Sequence, residues 1–247
     1  MKFNPVIVCD LDDVIRNLSD LSSKAGFKLE RAQLALVKPN ICGIYHPSLD
    51  LLSSIAEFLL SDTESVVIGE TRSMMHDPEE QFKRLGVDAL LKRFSGHVRA
   101  VDLSNDEWVK VRISNPHALG EINLPKTALT SDVLVNVPKA GTHSTTRITC
   151  ALKNLFGLLP QKHKYSTYHP LGMDKVIADI AQAINPDLNI ADAGTKAILA
   201  VDALAVDTVA CRFMNIDPLK VEHLRLVSED RGEKLEEFIK KMKVVEV

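Results

Sequence analysis

The feature that most restricts this chain is a set of short, continuously apolar runs, each ending in a polar or Gly-containing turn. They are Val6-Ile7-Val8-Cys9, Leu34-Ala35-Leu36-Val37, Ser65-Val66-Val67-Ile68 and Val133-Leu134-Val135-Asn136-Val137. A strand with one wet face alternates polar and apolar residues. A strand without alternation is covered on both faces, as in a parallel sheet between layers of helices. Helical spacing fills the gaps. Residues 48–60 place Leu49, Leu52, Ile55, Ala56 and Leu59 on one face, and residues 77–85 open with Asp-Pro-Glu-Glu, a usual first helical turn. The alternation predicts βαβ units and an α/β fold. It would be a mostly parallel sheet with flanking helices, as one domain over 1–247 or as two interlocked lobes with a cleft.

Residues 106–114 alternate polar and apolar side chains, which predicts a half-solvated or edge strand, added antiparallel. After Gly157 the chain reads as mainly helical, with helices at 173–184, 203–214, 218–227 and 233–243 and one strand near 188–191. Asp192-Ala193-Gly194-Thr195-Lys196 reads as leading almost directly through Ile198 into the next helix. No Gly/Ser linker or internal repeat marks a boundary.

Charge and cysteine usage exclude several classes. Lys plus Arg number 30 against 33 for Asp plus Glu, a net charge of -3, so no global basic field holds nucleic acid or an anionic membrane. Any anion site has to be local. Cys9, Cys42, Cys150 and Cys211 form no C-x-x-C pair, which argues against a zinc ribbon or an iron-sulfur motif, and scattered thiols suit a reducing cytoplasm. Residues 1–10 do not resemble a signal peptide, and no apolar run approaches the roughly 20 residues of a membrane span.

In open α/β sheets ligands bind beyond the carboxyl ends of the strands. The residues following the apolar runs are Lys38-Pro39-Asn40, Gly69-Glu70-Thr71-Arg72, Pro138-Lys139-Ala140-Gly141-Thr142-His143 and Asp192. Cations, amides and carboxylates would converge on one crevice, with Lys38, Lys139 and Arg72 as a cationic pocket for a carboxylate or phosphate. The bland alternative is that strand ends are polar because they reach water. The densest signal runs from Lys139 to His169. Thr142-His143-Ser144-Thr145-Thr146 precedes an apolar, helix-like run whose N-terminal amides would attract anions. That run ends in Lys153-Asn154-Leu155-Phe156-Gly157, where a Lys and an Asn interrupt apolar surroundings. Gln161-Lys162-His163-Lys164-Tyr165 reads as a basic loop.

Other residues point to structure. Asp202 and Asp207 lie about 140° apart on a helix and would not share a metal. Asp10, Asp12 and Asp13 read as a solvated turn, Cys150 as a buried inert thiol, and residues 233–243 as a charged amphipathic helix with a solvated face.

Several of these segments together carry a resemblance. Val37-Lys38-Pro39-Asn40-Ile41, the run from Ser131 to Lys139, Thr142-His143, and Ala151-Leu152-Lys153-Asn154-Leu155-Phe156-Gly157-Leu158 resemble the domain of unknown function 362 family, together with His169 and the helix around Asp207. Some members of that family carry a ferredoxin module or an export signal, and neither is visible here. More distantly, the chain is similar to the nickel-pincer lactate racemase family in one spacing. Lys153 lies ten residues after His143 and His169 twenty-six after it. That resemblance implies an acid/base role for His143, a covalent cofactor anchor at Lys153 and a metal ligand at His169, with nickel, iron or zinc as the metal. For a further upstream acid/base partner, His46, His76 and His117 are the candidates.

The functional expectation is an enzyme, racemase- or isomerase-like, that binds a small anionic substrate or a Lys-linked organic cofactor. His143, Lys153 and His169 are its catalytic candidates, and Lys38, Asn40, Glu70, Asn136, Lys139 and Asn154 its binding candidates. The rivals are a non-catalytic metal-, cluster- or anion-binding accessory protein working with a redox partner, and a Lys/His segment that is only an interface.

Overall fold

The computed structural model describes residues 4–41, 45–160 and 163–247. Twelve strands follow in chain order: β1 (Val6–Asp10), β2 (Ala32–Pro39), β3 (Thr63–Glu70), β4 (Val98–Asp102), β5 (Trp108–Arg112), β6 (Glu121–Pro125), β7 (Val133–Val137), β8 (Gly141–His143), β9 (Arg147–Thr149), β10 (Leu188–Asp192), β11 (Lys196–Ala200) and β12 (Val244–Glu246). The helices are α1 (Leu11–Lys24), α2 (Leu49–Leu60), α3 (Pro78–Leu85), α4 (Val87–Lys92), α5 (Lys126–Thr130), α6 (Ala151–Leu155), α7 (Lys164–Tyr168), α8 (Met173–Ala183), α9 (Ala203–Phe213), α10 (Glu222–Asp230) and α11 (Leu235–Lys241).

Eight strands form one sheet in the order β12-β1-β11-β10-β7-β2-β3-β4. The pairings run parallel except where β11 meets β10 and β1, so β11 alone is reversed. The carboxyl ends of β2, β3, β7 and β10 therefore open on the same edge. Period-two alternation sends Val37, Ile68 and Val135 to a core under α1 to α4, and Leu36, Val67 and Leu134 to a core under α7 and α8. A third core joins Val6, Val8 and Ile198 to α6, α9, α10 and α11. Burial on both faces explains the unbroken apolar runs.

The continuous runs all form strands of this mostly parallel sheet, and helices flank it. Four details differ from the sequence reading. β5 pairs antiparallel with β6 in a separate hairpin lying against the sheet face, not along its edge. The segment after Asp192 does not lead into a helix but turns at Gly194 (φ 95°) into β11, because Ala197 to Ala200 can then fill the gap between β10 and β1. The residues after α11 return as β12 against β1. Asp12 and Asp13 begin α1, where their charge favours the amino end.

Candidate functional site

At the carboxyl edge of the sheet a chain of buried polar groups links four strands to α6. Asn189 (β10) accepts from the Asn136 amide (β7) at 2.8 Å, and the same amide donates to the Ala151 carbonyl at 3.0 Å. Asn154 (α6) donates to Asn136 at 2.8 Å and to the Lys38 carbonyl at 3.0 Å. The Lys38 ammonium (β2) donates to the Pro39 carbonyl at 2.8 Å, to Glu70 (β3) at 2.9 Å and to Asn154 Oδ1 at 3.2 Å. Lys38 and Glu70 are 0% and 3% exposed, a burial that charges tolerate only when paired and fully hydrogen-bonded. Here the three donors of Lys38 each have an oxygen.

The helix above this network is only five residues long, and its position is fixed from outside. The Ala151 and Leu152 amides donate to the Asp207 carboxylate at 2.6 and 3.1 Å. These amides were expected to attract an external anion. Asp207 of α9 already fills that place, and Cys150, not a Ser or Thr, precedes the helix. Burial pushes the Asp207 carboxyl up to about 6 despite those bonds and the nearby His223. Asp202, by contrast, caps α9 and pairs with Arg231, so the two aspartates do separate work. Cys150 is buried, and its thiol is held well above its ordinary value by burial first and by Asp207 next. Cys9 and Cys211 are free and buried as well, while Cys42 and the Gln161-Lys162 pair lie outside the described residues.

A cavity of about 600 Å³ lies over this edge. Asn40, Glu70, His143, Lys153 and Asn154 line it. Lys38 and Asn136 stand behind its floor, with no exposure. Lys139 ion-pairs with Asp192 at 2.5 Å and Arg72 with Asp102 at 2.8 Å, so the three expected pocket cations each hold a carboxylate of the chain itself. Lys153 differs. Among the described residues it makes no hydrogen bond or ion pair, and burial pulls its amine down to about 8, with the Asp174 carboxylate acting in the opposite sense.

His143 lies at the tip of the β8–β9 hairpin, which replaces the expected pre-helical turn. Its Nδ1 accepts from the amides of Thr145 at 3.2 Å and Thr146 at 3.3 Å. Burial, then the charge of Lys153, then His169 lower its pKa to about 4. His169 stacks on the cavity residue Tyr165 with ring centroids 3.8 Å apart, and burial and Lys153 lower its pKa too. His143 and Lys153 thus line the cavity itself, whereas His169 meets it through Tyr165 and is not among its lining residues. Of the upstream histidines, His76 lines the cavity, His46 sits beside the Pro47 carbonyl, and His117 pairs with Asp230 at 3.0 Å.

Sequence reasoning missed Asp174 and His223, and it placed Thr71 at a strand end and Lys164 in a basic loop without pairing them. Lys164 donates to Thr71 Oγ1 at 2.5 Å and to the Gly157 carbonyl at 2.7 Å, closing the cavity floor. His223, with 0% exposure, lies 2.6 Å from Asp174 through Nδ1. Burial alone would raise the Asp174 carboxyl, but the His223 hydrogen bond and charge outweigh it and hold it below its ordinary value. No spacing in the sequence ties residue 174 to residue 223, so only the packing of α8 on α10 reveals the pair.

Comparison with known proteins agrees with the fold. The chain resembles the lactate racemase apoprotein of Thermoanaerobacterium thermosaccharolyticum with a TM-score of 0.53 and 14% identity, over 86% of this chain and 57% of that one. A protein from Thermotoga maritima gives 0.50 and 12%, over 83% and 58%. At such identities the likeness is one of fold. Over 80 residues the chain is 35% identical to a thylakoid-associated protein of Synechocystis sp., covering 30% of this chain and 25% of that protein. The chain thus spans a quarter of that relative and somewhat over half of the solved structures. Among the described residues no helix is long and apolar enough to cross a membrane. Residues 35–198 match the family described as Domain of unknown function (DUF362), and the chain belongs to that family.

Proposed function

We propose that this protein is an enzyme that takes a small anionic substrate or an organic cofactor into the cavity above the sheet edge, with Lys153 as its reactive centre and a racemase- or isomerase-like reaction. One observation carries the reading: Lys153 lines the cavity with neither hydrogen bond nor ion pair among the described residues, its amine lowered to about 8 by burial. Structural lysines in this crevice, Lys38 and Lys139, have carboxylates; a desolvated lysine without one is poised for chemistry. Lys38, Glu70, Asn136, Asn154 and Lys139 hold the wall that presents it, and Asn40 borders the ligand. A metal at His169 would draw its other ligands from a bound cofactor, because no three His, Cys, Asp or Glu side chains among the described residues come together as a donor set. Mass spectrometry of protein from its native host tests the reading: a tight or covalent adduct at Lys153 is expected, and unmodified Lys153 with an empty cavity counts against it.

A second reading, an accessory binding protein that docks on a redox partner, is favoured by the rim of the cavity. Tyr45, Met74, Met75 and Tyr165 are 43%, 54%, 75% and 66% exposed there, a grouping of apolar side chains that suits a contact surface. Lys153→Arg separates the two, since it keeps the charge and removes the nucleophile. The enzyme loses its biological activity with this change and the binding module retains it.

A further inference from the structure

Lys153 and His143 bring complementary chemistry to one cavity. The lysine is part-buried at the cavity wall and has no counter-ion in contact among the described residues, a setting that favours the neutral amine with its lone pair free. The imidazole is oriented by its own hairpin. Because Nδ1 accepts from two backbone amides, the neutral ring carries its proton on Nε2. What His143 offers the cavity is therefore an N–H donor, not a base. A nucleophile for carbon and a fixed donor for the oxygen that gains charge are the two needs of carbonyl addition.

We propose that Lys153 forms an imine with a small aldehyde or 2-oxo acid, while His143 Nε2–H polarises the carbonyl oxygen. This rests on the reading of Lys153 as the reactive centre and adds the substrate class. The lysine lone pair forms a bond to the carbonyl carbon and the π pair moves to oxygen. A proton passes from nitrogen to oxygen, giving the carbinolamine. The hydroxyl then leaves with the remaining N–H proton as water, giving the imine. No oxidant or reductant is needed. When protonated, the imine is a cation, and the carboxylate within electrostatic reach is Asp174, fixed by the buried His223 at 2.6 Å. Such an iminium draws electrons from the adjacent carbon, as an isomerase requires.

The test uses the full chain, glyoxylate and sodium cyanoborohydride near neutral pH, with reduced adducts located by peptide mapping. Lys153 is expected to label about tenfold or more faster than the exposed Lys92 and Lys220, with the preference lost in urea. His143→Phe lowers the Lys153 rate about tenfold or more, and His143→Gln, which keeps a donor near the Nε2 position, restores most of it. Labelling of native Lys153 no faster than Lys92 overturns the proposal without recourse to any variant. Wild-type rates in a folded His143→Phe variant overturn the role of His143. A native-host adduct on Lys153 that forms without reductant and survives acid upholds Lys153 as the centre but rules out the imine.

Discussion

Lys38 and Lys153 occupy one crevice and behave oppositely. Lys38 is enclosed with Glu70, so Lys38→Met would leave a buried carboxylate uncompensated; we expect a loss of about 3–5 kcal/mol in denaturant unfolding. Lys153 has no such partner among the described residues. Its folded pKa of about 8 lies below the ordinary 10.5, so between those values the unfolded chain binds a proton that the folded chain does not. Stability therefore rises with pH across that window, and below about 8 the lysine destabilises in full. Lys153→Met should stabilise by about 1–2 kcal/mol at pH 7, after allowance for partial solvation, and the gain should vanish as pH climbs toward 10.5. A gain independent of pH would contradict this. Residue types at the strand ends were legible in the sequence. Their allegiances were not, because Lys38 meets Asn154 across 116 positions, and only folding decides which cation keeps a carboxylate and which goes without.

At the scale of elements, α6 holds its place through side chains of its neighbours more than through its own five residues. Gly157 follows it where a Cβ would come within 2.9 Å of Lys38 Nζ and 3.1 Å of Glu70 Oε1. Gly157→Ala should therefore crowd the buried ion pair and cost about 1–3 kcal/mol, read as a shift in the urea midpoint, whereas Gly120→Ala, with open space, should cost far less. Strands β1, β2, β3 and β7 could be read from sequence because burial on both faces leaves a nearly continuous apolar run, and β10 showed as a short apolar segment between helices. Strands β8, β9 and β12 could not, being three residues each and mostly part-exposed. β11 hid because Lys196 follows a Gly turn and Asp202 soon caps the next helix, leaving few residues to show a period.

For the whole molecule, one sheet shared by three apolar cores makes its parts interdependent. The single tryptophan, Trp108, sits on the β5–β6 hairpin, whose Ile122 and Leu124 pack with Leu36, Val67 and Leu134 of the main sheet. Trp108 fluorescence and far-UV circular dichroism should thus report one coincident urea transition, and two separated midpoints would show that the hairpin detaches by itself. The mostly parallel character was legible from apolar runs alternating with helices. The strand order was not, since periodicity carries no information on which strands are neighbours. That order bears on how the chain assembles during synthesis. β1 emerges from the ribosome before every other strand of the sheet, yet it lies between β11 and β12, which follow all the others, with Ile7 opposite Leu199 and Val245. β10 and β11, joined by a three-residue turn, can pair within microseconds of appearing. β1 must wait for them, and its insertion is the slow, long-range step that closes the fold. The cavity lies over β2, β3, β7 and α6, so its floor can be in place before that step is complete.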